Sequence, residues 1–302
     1  MAGGSTRGAG LNGVKSCNSI PGALQRLVPW RANALAQRRS PLESLALYLL
    51  IGAGSGLLGG LLGLGGGLVT VPALAAWFAA AGFGEAAMHL AIGTSLAVIP
   101  FTLASAVVAH ARRGAVVWSL LRGLVPGAVA GALAGTLAVG ELDGAWLATL
   151  FGAFLILVAL WMAAGRRPAP EREPPAPLGL AVGGGVIGLI AAPMGVAGGT
   201  LTVPWLAWHN VPLPRAVATS AALGLPIALA GVLGFLITGA GVAGRPEGAV
   251  GWVHLPAVVA LVPAAVLAAP LGARVAHALP VIALRRVFAG VLVVVGLRMI
   301  LG

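Results

Sequence analysis

Acidic side chains are scarce in this chain, with seven Asp and Glu among 302 residues against 18 Lys and Arg. Charged residues of all kinds make up 8%, and there is one tyrosine and one cysteine. Each shortage excludes something. A soluble domain carries roughly 25% charge, and a chain with a third of that cannot cover its own surface. A soluble globular protein and a disordered chain are both excluded. One cysteine, Cys17, forms no internal disulfide and no thiolate cluster, so a disulfide scaffold is excluded too. No carboxylate sits deep in an apolar stretch: Glu43, Glu85, Glu141, Asp143 and Glu247 all lie near ends or loops. A carboxylate relay through a membrane is therefore not supported. No His, Cys, Asp or Glu set has metal-ligand spacing, and no Ser-His-Asp order suggests a nucleophile. The sequence indicates neither an enzyme nor a cofactor.

What is present is apolar surface. Apolar residues make up 59% of the chain and the mean hydropathy is +1.01. The expected fold class is an all-α polytopic integral membrane protein, with the lipid bilayer as its partner. Strands of a barrel alternate apolar and polar residues, and these runs do not. The net charge of +11 does not point to nucleic acid. Six of the cations lie in the first 40 residues, and most of the others separate apolar runs. That is the charge pattern of a membrane protein.

The apolar blocks span 44–82, 90–110, 115–139, 145–165, 178–208, 216–241, 252–277 and 281–301. Counting each as one crossing predicts about eight transmembrane helices. Residues 1–41 read as a disordered basic tail and 166–177, RRPAPEREPPAP, as a polar linker. Between them lies a first membrane repeat, 42–165, and after the linker a second, 178–302. The repeat is visible in the residues. GSGLLGGLLGLGGGLVTVPAL starts at Gly54, and GGVIGLIAAPMGVAGGTLTVPWL starts at Gly184. Pro72 aligns with Pro204, Thr70 with Thr202, Gly66-Gly67 with Gly198-Gly199, Gly63 with Gly195 and Gly56 with Gly188. Later, Thr94-Ser95 aligns with Thr219-Ser220, and Leu124-Val125-Pro126 with Leu261-Val262-Pro263.

Single crossings place the tail in the cytoplasm and satisfy the positive-inside rule through the first half. In the second half Arg215, Arg285 and Arg286 then fall outside. A helix over all of 44–82 would also exceed the ~30 Å core, so the run Gly65-Gly66-Gly67 must break it. If both long blocks are hairpins, each half has five spans and the halves are inverted. The sequence leaves both arrangements open.

Matching Gly- or Pro-broken segments in two halves mark a transporter's binding site. Half-helix N-termini there offer free N–H groups to an anion. The candidate substrate-binding residues are Gly65, Gly66, Gly67, Thr70, Pro72, Thr94 and Ser95. Their second-half counterparts are Gly198, Gly199, Thr202, Pro204, Thr219 and Ser220. The competing reading is that glycines such as Gly52, Gly56 and Gly60 only let helices pack closely, and that hydroxyls bond back to their own helix. GLGGG follows no strand and is no dinucleotide fingerprint. His89, His110 and His254 are the buried titratable candidates, and Arg122 is read as snorkelling to the cytoplasmic face.

The stretch from Gly56 to Leu74, G-x-x-G-G-L-L-G-L-G-G-G-x-x-x-V-P-x-L, resembles the hallmark of the sulfite exporter TauE/SafE family of membrane permeases. Ala91-Ile-Gly-Thr-Ser-Leu96 and Arg112-Arg113-Gly114 before a Trp-containing span look like the same family. The resemblance covers 42–302. It implies seven to nine spans and transport of sulfite, sulfonates or related small organic anions across the plasma membrane, commonly outward. It also implies that the paired residues above form the substrate region. The second copy departs from the pattern, with Ala197 in place of the first glycine and Pro193-Met194 in place of Leu61-Leu62. A carrier working by alternating access is the expectation, with a pore-like or accessory subunit as its alternative and a homodimer as a plausible assembly.

Overall fold

The computed structural model describes residues 41–62, 66–164, 173, 175–242, 245–276 and 281–301. The expected tail up to residue 40, with Cys17, lies outside the described residues, as do Gly65 and most of the 166–177 linker.

The described chain forms helices α1 (Pro41–Leu62), α2 (Gly67–Ala80), α3 (Ala86–Arg112), α4 (Trp118–Gly140), α5 (Gly144–Ala164), α6 (Pro177–Ala191), α7 (Gly199–Trp208) and α8 (Leu213–Thr238). A short antiparallel hairpin follows, β1 (Ala249–Val250) and β2 (Val253–His254), then α9 (Leu255–Ala276) and α10 (Val281–Leu301). Apart from that hairpin the fold is all-α. Helix is what lipid demands, because it satisfies every backbone donor and acceptor within one segment. Among the described residues, six helices are long and apolar enough to cross a bilayer: α1, α3, α4, α5, α8 and α9. Leu178, Leu267 and Leu50 are 78%, 74% and 70% exposed on the outside of the bundle. An apolar exterior of this kind faces lipid, not water.

Neither long block runs as one helix from end to end, so the single-crossing arrangement of those two blocks does not hold. The first breaks after Leu62 and folds back. Trp77 Nε1–H on α2 donates to the Tyr48 hydroxyl on α1 at 3.2 Å, and Phe78 meets the Tyr48 ring edge-on at 6.5 Å. At the other end of α2, a Cβ on Gly66 would lie 3.2 Å from the Ser55 carbonyl oxygen. So α2 starts beside the middle of α1 and returns toward its beginning. The second block breaks between α6 and α7, where Gly195 and Gly198 hold φ of +62° and +74°, a region L side chains seldom enter. There a Cβ on Gly183 would lie 2.6 Å from the Trp205 ring, and one on Gly198 3.3 Å from Ile187. α7 therefore runs back along α6. The physical reason is length: at 1.5 Å per residue, either block as one helix would overrun the ~30 Å apolar core.

Small residues seat the helices on one another. Along α1, a Cβ on Gly52 would lie 2.7 Å from the Leu261 carbonyl oxygen. One on Gly56 or Gly60 would collide with the carbonyl of Ala265 or Ala269. α1 and α9 thus run parallel in direct backbone contact. α4 and α6 do the same through Gly184 against Leu124, Gly188 against Ala128 and Gly131 against Gly185. α3 and α8 are antiparallel: Gly224 faces Leu103, and Gly231 faces Leu96. Without a hydrophobic drive between helices in lipid, close packing of this kind carries the association.

Candidate functional site

The first half-helix, α2, begins at Gly67 with Gly66 as its N-cap and no side-chain cap. The Gly66 carbonyl accepts the N–H groups of Val69 (3.0 Å) and Thr70 (2.9 Å). It also accepts the Thr70 hydroxyl proton at 2.9 Å. Thr70 is buried, and its single proton is spent on its own helix, as hydroxyls within helices often do. Pro72, half-buried, follows two residues later.

The second half-helix, α7, begins at Gly199 after the left-handed Gly198 and again has no side-chain cap. The Gly198 carbonyl accepts Leu201 N–H at 3.0 Å and Thr202 N–H at 2.7 Å. Here the hydroxyls behave differently. Thr200 and Thr202 are 4% and 0% exposed, and neither Oγ1 has a hydrogen-bond partner among the described residues. Pro204 is half-buried in the same helix, at the place Pro72 takes in α2.

The two breaks meet. A Cβ on Gly67 would collide with the Gly195 carbonyl oxygen and lie 3.1 Å from Val196. The Ser95 hydroxyl on α3 donates to that same Gly195 oxygen at 3.0 Å. On the other side, a Cβ on Gly224 of α8 would lie 2.9 Å from the Ala197 oxygen. The 192–198 turn is thus enclosed by α2, α3 and α8. Ser220 on α8 is 2% exposed, and its Oγ has no partner among the described residues.

Thr94 and Thr219 are tied to backbone. Thr94 Oγ1 accepts the N–H of His254 at 3.0 Å, just before α9. Thr219 Oγ1 accepts the N–H of Val117 at 3.0 Å, the N-cap of α4. Both threonines are fully buried. The structure therefore gathers Gly66, Gly67, Ser95, Gly198, Gly199 and Thr202 around one junction. It uses Thr94 and Thr219 as anchors for neighbouring helix starts. Thr200 is absent from the sequence-derived set because its aligned first-half residue is Leu68, so a filter for repeated residues passes over it.

The histidines fall into different roles. His254 Nδ1 accepts Ala257 N–H at 3.2 Å, inside a nest with Tyr48 and Phe78. It acts as a cap for α9. His89 stacks on Trp252 at 4.8 Å, and its Nε2 lies 3.3 Å from the Val139 carbonyl. A carbonyl oxygen only accepts, so Nε2 is the donor in that contact. His89 Nδ1 and Trp252 Nε1 have no partner among the described residues. Arg122 is exposed near the start of α4, as a snorkelling side chain would be. Among the described residues no cluster of three His, Cys, Asp or Glu could hold a metal ion.

The family model of the sulfite exporter TauE/SafE matches residues 48–299. A probable membrane transporter protein of Haemophilus influenzae is 32% identical over 259 residues, covering 85% of this chain and 98% of the relative. One of Methanocaldococcus jannaschii is 29% identical over 265 residues, covering 85% and 96%. A third, of Bacillus subtilis, is 28% identical over 288 residues, covering 85% and 97%. No solved structure matches the chain. With the glycine-broken half-helices inside a bundle of apolar helices, this match along nearly the whole membrane portion makes the chain a member of the sulfite exporter TauE/SafE family.

Proposed function

We propose that the protein is a carrier that moves small anions, of the class of sulfite, sulfonates and related organic anions, out of the cell by alternating access. The observation that carries the reading is the contact of Gly67 with Gly195 and Val196, which brings the two chain breaks together inside the bundle. Uncapped half-helix N-termini at such a junction offer N–H groups and a partial positive charge to an anion without a fixed cation. The family's transporter relatives support the same reading.

The proposal includes two repeats, 42–165 and 178–302, joined by the 166–177 linker. The contacts supporting it exchange between halves. Gly52 meets Leu261 and Gly56 meets Ala265; their aligned residues Gly184 and Gly188 meet Leu124 and Ala128, the aligned residues of those partners. Thr94 takes the N–H before α9, and Thr219 takes the N–H before α4. With α2 and α7 as half-helices, eight helices cross and the halves are inverted.

That arrangement bears on sidedness. The end of α3 (Arg112, Arg113), the start of α8 (Arg215), the end of α9 (Arg274) and the start of α10 (Arg285, Arg286) share one side. Glu85, Glu141, Asp143 and Glu247 mark the other. We assign the arginine side to the cytoplasm of a plasma-membrane protein. The second-half violations of the single-crossing count then disappear. The start of α1 then falls on the outer side.

The test is counterflow in proteoliposomes with sulfite, thiosulfate, sulfate, sulfoacetate and lactate, with and without a pH gradient. Saturable flux of one anion class is the expected result. Flux that does not saturate would favour the pore-like alternative, and no flux from folded protein would remove the carrier reading.

A further inference from the structure

The two half-helices resemble each other in sequence but not in how their hydroxyls are used. In the first, Thr70 gives its proton to Gly66 O, and Ser95 gives its proton to Gly195 O. In the second half, Thr200, Thr202 and Ser220 are each at least nine-tenths buried, and none of the three hydroxyl oxygens has a partner among the described residues. A buried hydroxyl without a partner carries an uncompensated desolvation cost. Three of them on adjacent elements, α7 and α8, call for a ligand or water. Thr200 stands in the first turn of α7, which no side-chain cap covers; the Gly198 carbonyl takes the N–H groups of Leu201 and Thr202, and the first N–H groups of the helix lie ahead of them. Thr202 Oγ1 lies 3.5 Å from where a Cβ on Gly198 would be, next to the same terminus. At the first-half position aligned with Thr200 stands Leu68, 1% exposed and without a donor. No charged residue occurs between 174 and 214.

We propose that the site is lopsided, with the N-terminus of α7 and the hydroxyls of Thr200, Thr202 and Ser220 as the anion-holding half. Thr200 is a ligand contact of that half. This rests on the carrier reading above. The ligand class is a compact oxyanion with three or more oxygens, held by neutral donors alone. Neutral donors suit a carrier, because the anion must leave as readily as it enters.

The experiment uses full-length protein in lipid nanodiscs with sulfite as the probe, reading both binding and thermal unfolding. Thr200→Val keeps the side-chain shape and removes the hydroxyl. Its ligand-free melting temperature is expected to equal or exceed that of the unmodified protein, since no internal bond is lost. Its sulfite affinity is expected to fall about tenfold or more, with the sulfite-induced melting shift lost. Thr200→Ser restores the donor and should bind within about threefold of the unmodified protein. Thr149→Val on α5, where the hydroxyl donates to the Ala145 carbonyl at 3.0 Å, serves as the control for a lost hydroxyl elsewhere. A lower ligand-free melting temperature for Thr200→Val would mean that the hydroxyl has a structural partner, and the proposal would fall. Unchanged sulfite affinity would also overturn it while leaving the carrier reading standing. Failure of the unmodified protein to bind or transport any anion of the panel would remove both.

Discussion

Thr94 Oγ1 accepts the backbone N–H of His254 at 3.0 Å, across 160 residues of sequence. Thr219 Oγ1 accepts the N–H of Val117 at 3.0 Å in the same way. Each hydroxyl takes up one of the donors a helix start leaves free, and each does so for a helix of the other half. A residue that reads as a substrate donor in the sequence is here a splice between halves.

Loss of either hydroxyl leaves a buried N–H without an acceptor. Thr94→Val and Thr219→Val should each destabilise the protein by about 1–3 kcal/mol. Thr94→Ser and Thr219→Ser should recover most of that. Thermal melts in detergent check this, and a valine variant melting like the unmodified protein would show that the bond contributes nothing.

Glycine contacts should separate sharply by position. A Cβ on Gly56 meets the Ala265 backbone and one on Gly188 meets the Ala128 backbone, whereas Gly54 and Gly290 have nothing within 4 Å. Overpacking of a filled interface costs about 1–3 kcal/mol. Gly56→Ala and Gly188→Ala should therefore lower the melting temperature, and Gly54→Ala and Gly290→Ala should leave it in place.

At the junction the readout is flux. Gly67→Ala drives a methyl into the Gly195 carbonyl. Gly198→Ala forces an alanine to φ +74°, which costs about 1–2 kcal/mol. Both should cut sulfite counterflow by about tenfold or more in protein that still inserts. Gly66→Ala should act more mildly, since its nearest neighbour, Ser55 O, is 3.2 Å away. Equal flux from Gly67→Ala and Gly290→Ala would contradict a working junction.

Sidedness is open to labelling. In a Cys17→Ser background, Arg113→Cys and Arg215→Cys should react with an impermeant maleimide from the cytoplasmic side only. Glu85→Cys and Glu247→Cys should react from outside. Labelling of position 215 from the same side as position 247 would break the inverted arrangement.

The fold class was legible in composition, because a chain with 8% charge has no soluble surface to build. The family was legible in the Gly56 to Leu74 stretch, which repeats the family's hallmark residues. The small-residue packing was legible at Gly52, Gly56 and Gly60, since their four-residue spacing puts them on one helix face. The side of the membrane for Arg215 was not, because a glycine run says that a helix ends but not which way the chain leaves.

The sequence by itself determined that this is a bundle of apolar helices with two broken segments, since hydrophobic length and glycine placement are local properties. The tertiary structure decided how the hydroxyls are used. Thr94 and Thr219 became anchors, Thr70 turned back on Gly66, and Thr200 was left buried without a partner among the described residues. Hydrogen bonds between residues 100 or more apart depend on which backbones meet. In lipid that is set by which glycines admit a neighbouring helix, not by the spacing of the hydroxyls along the chain.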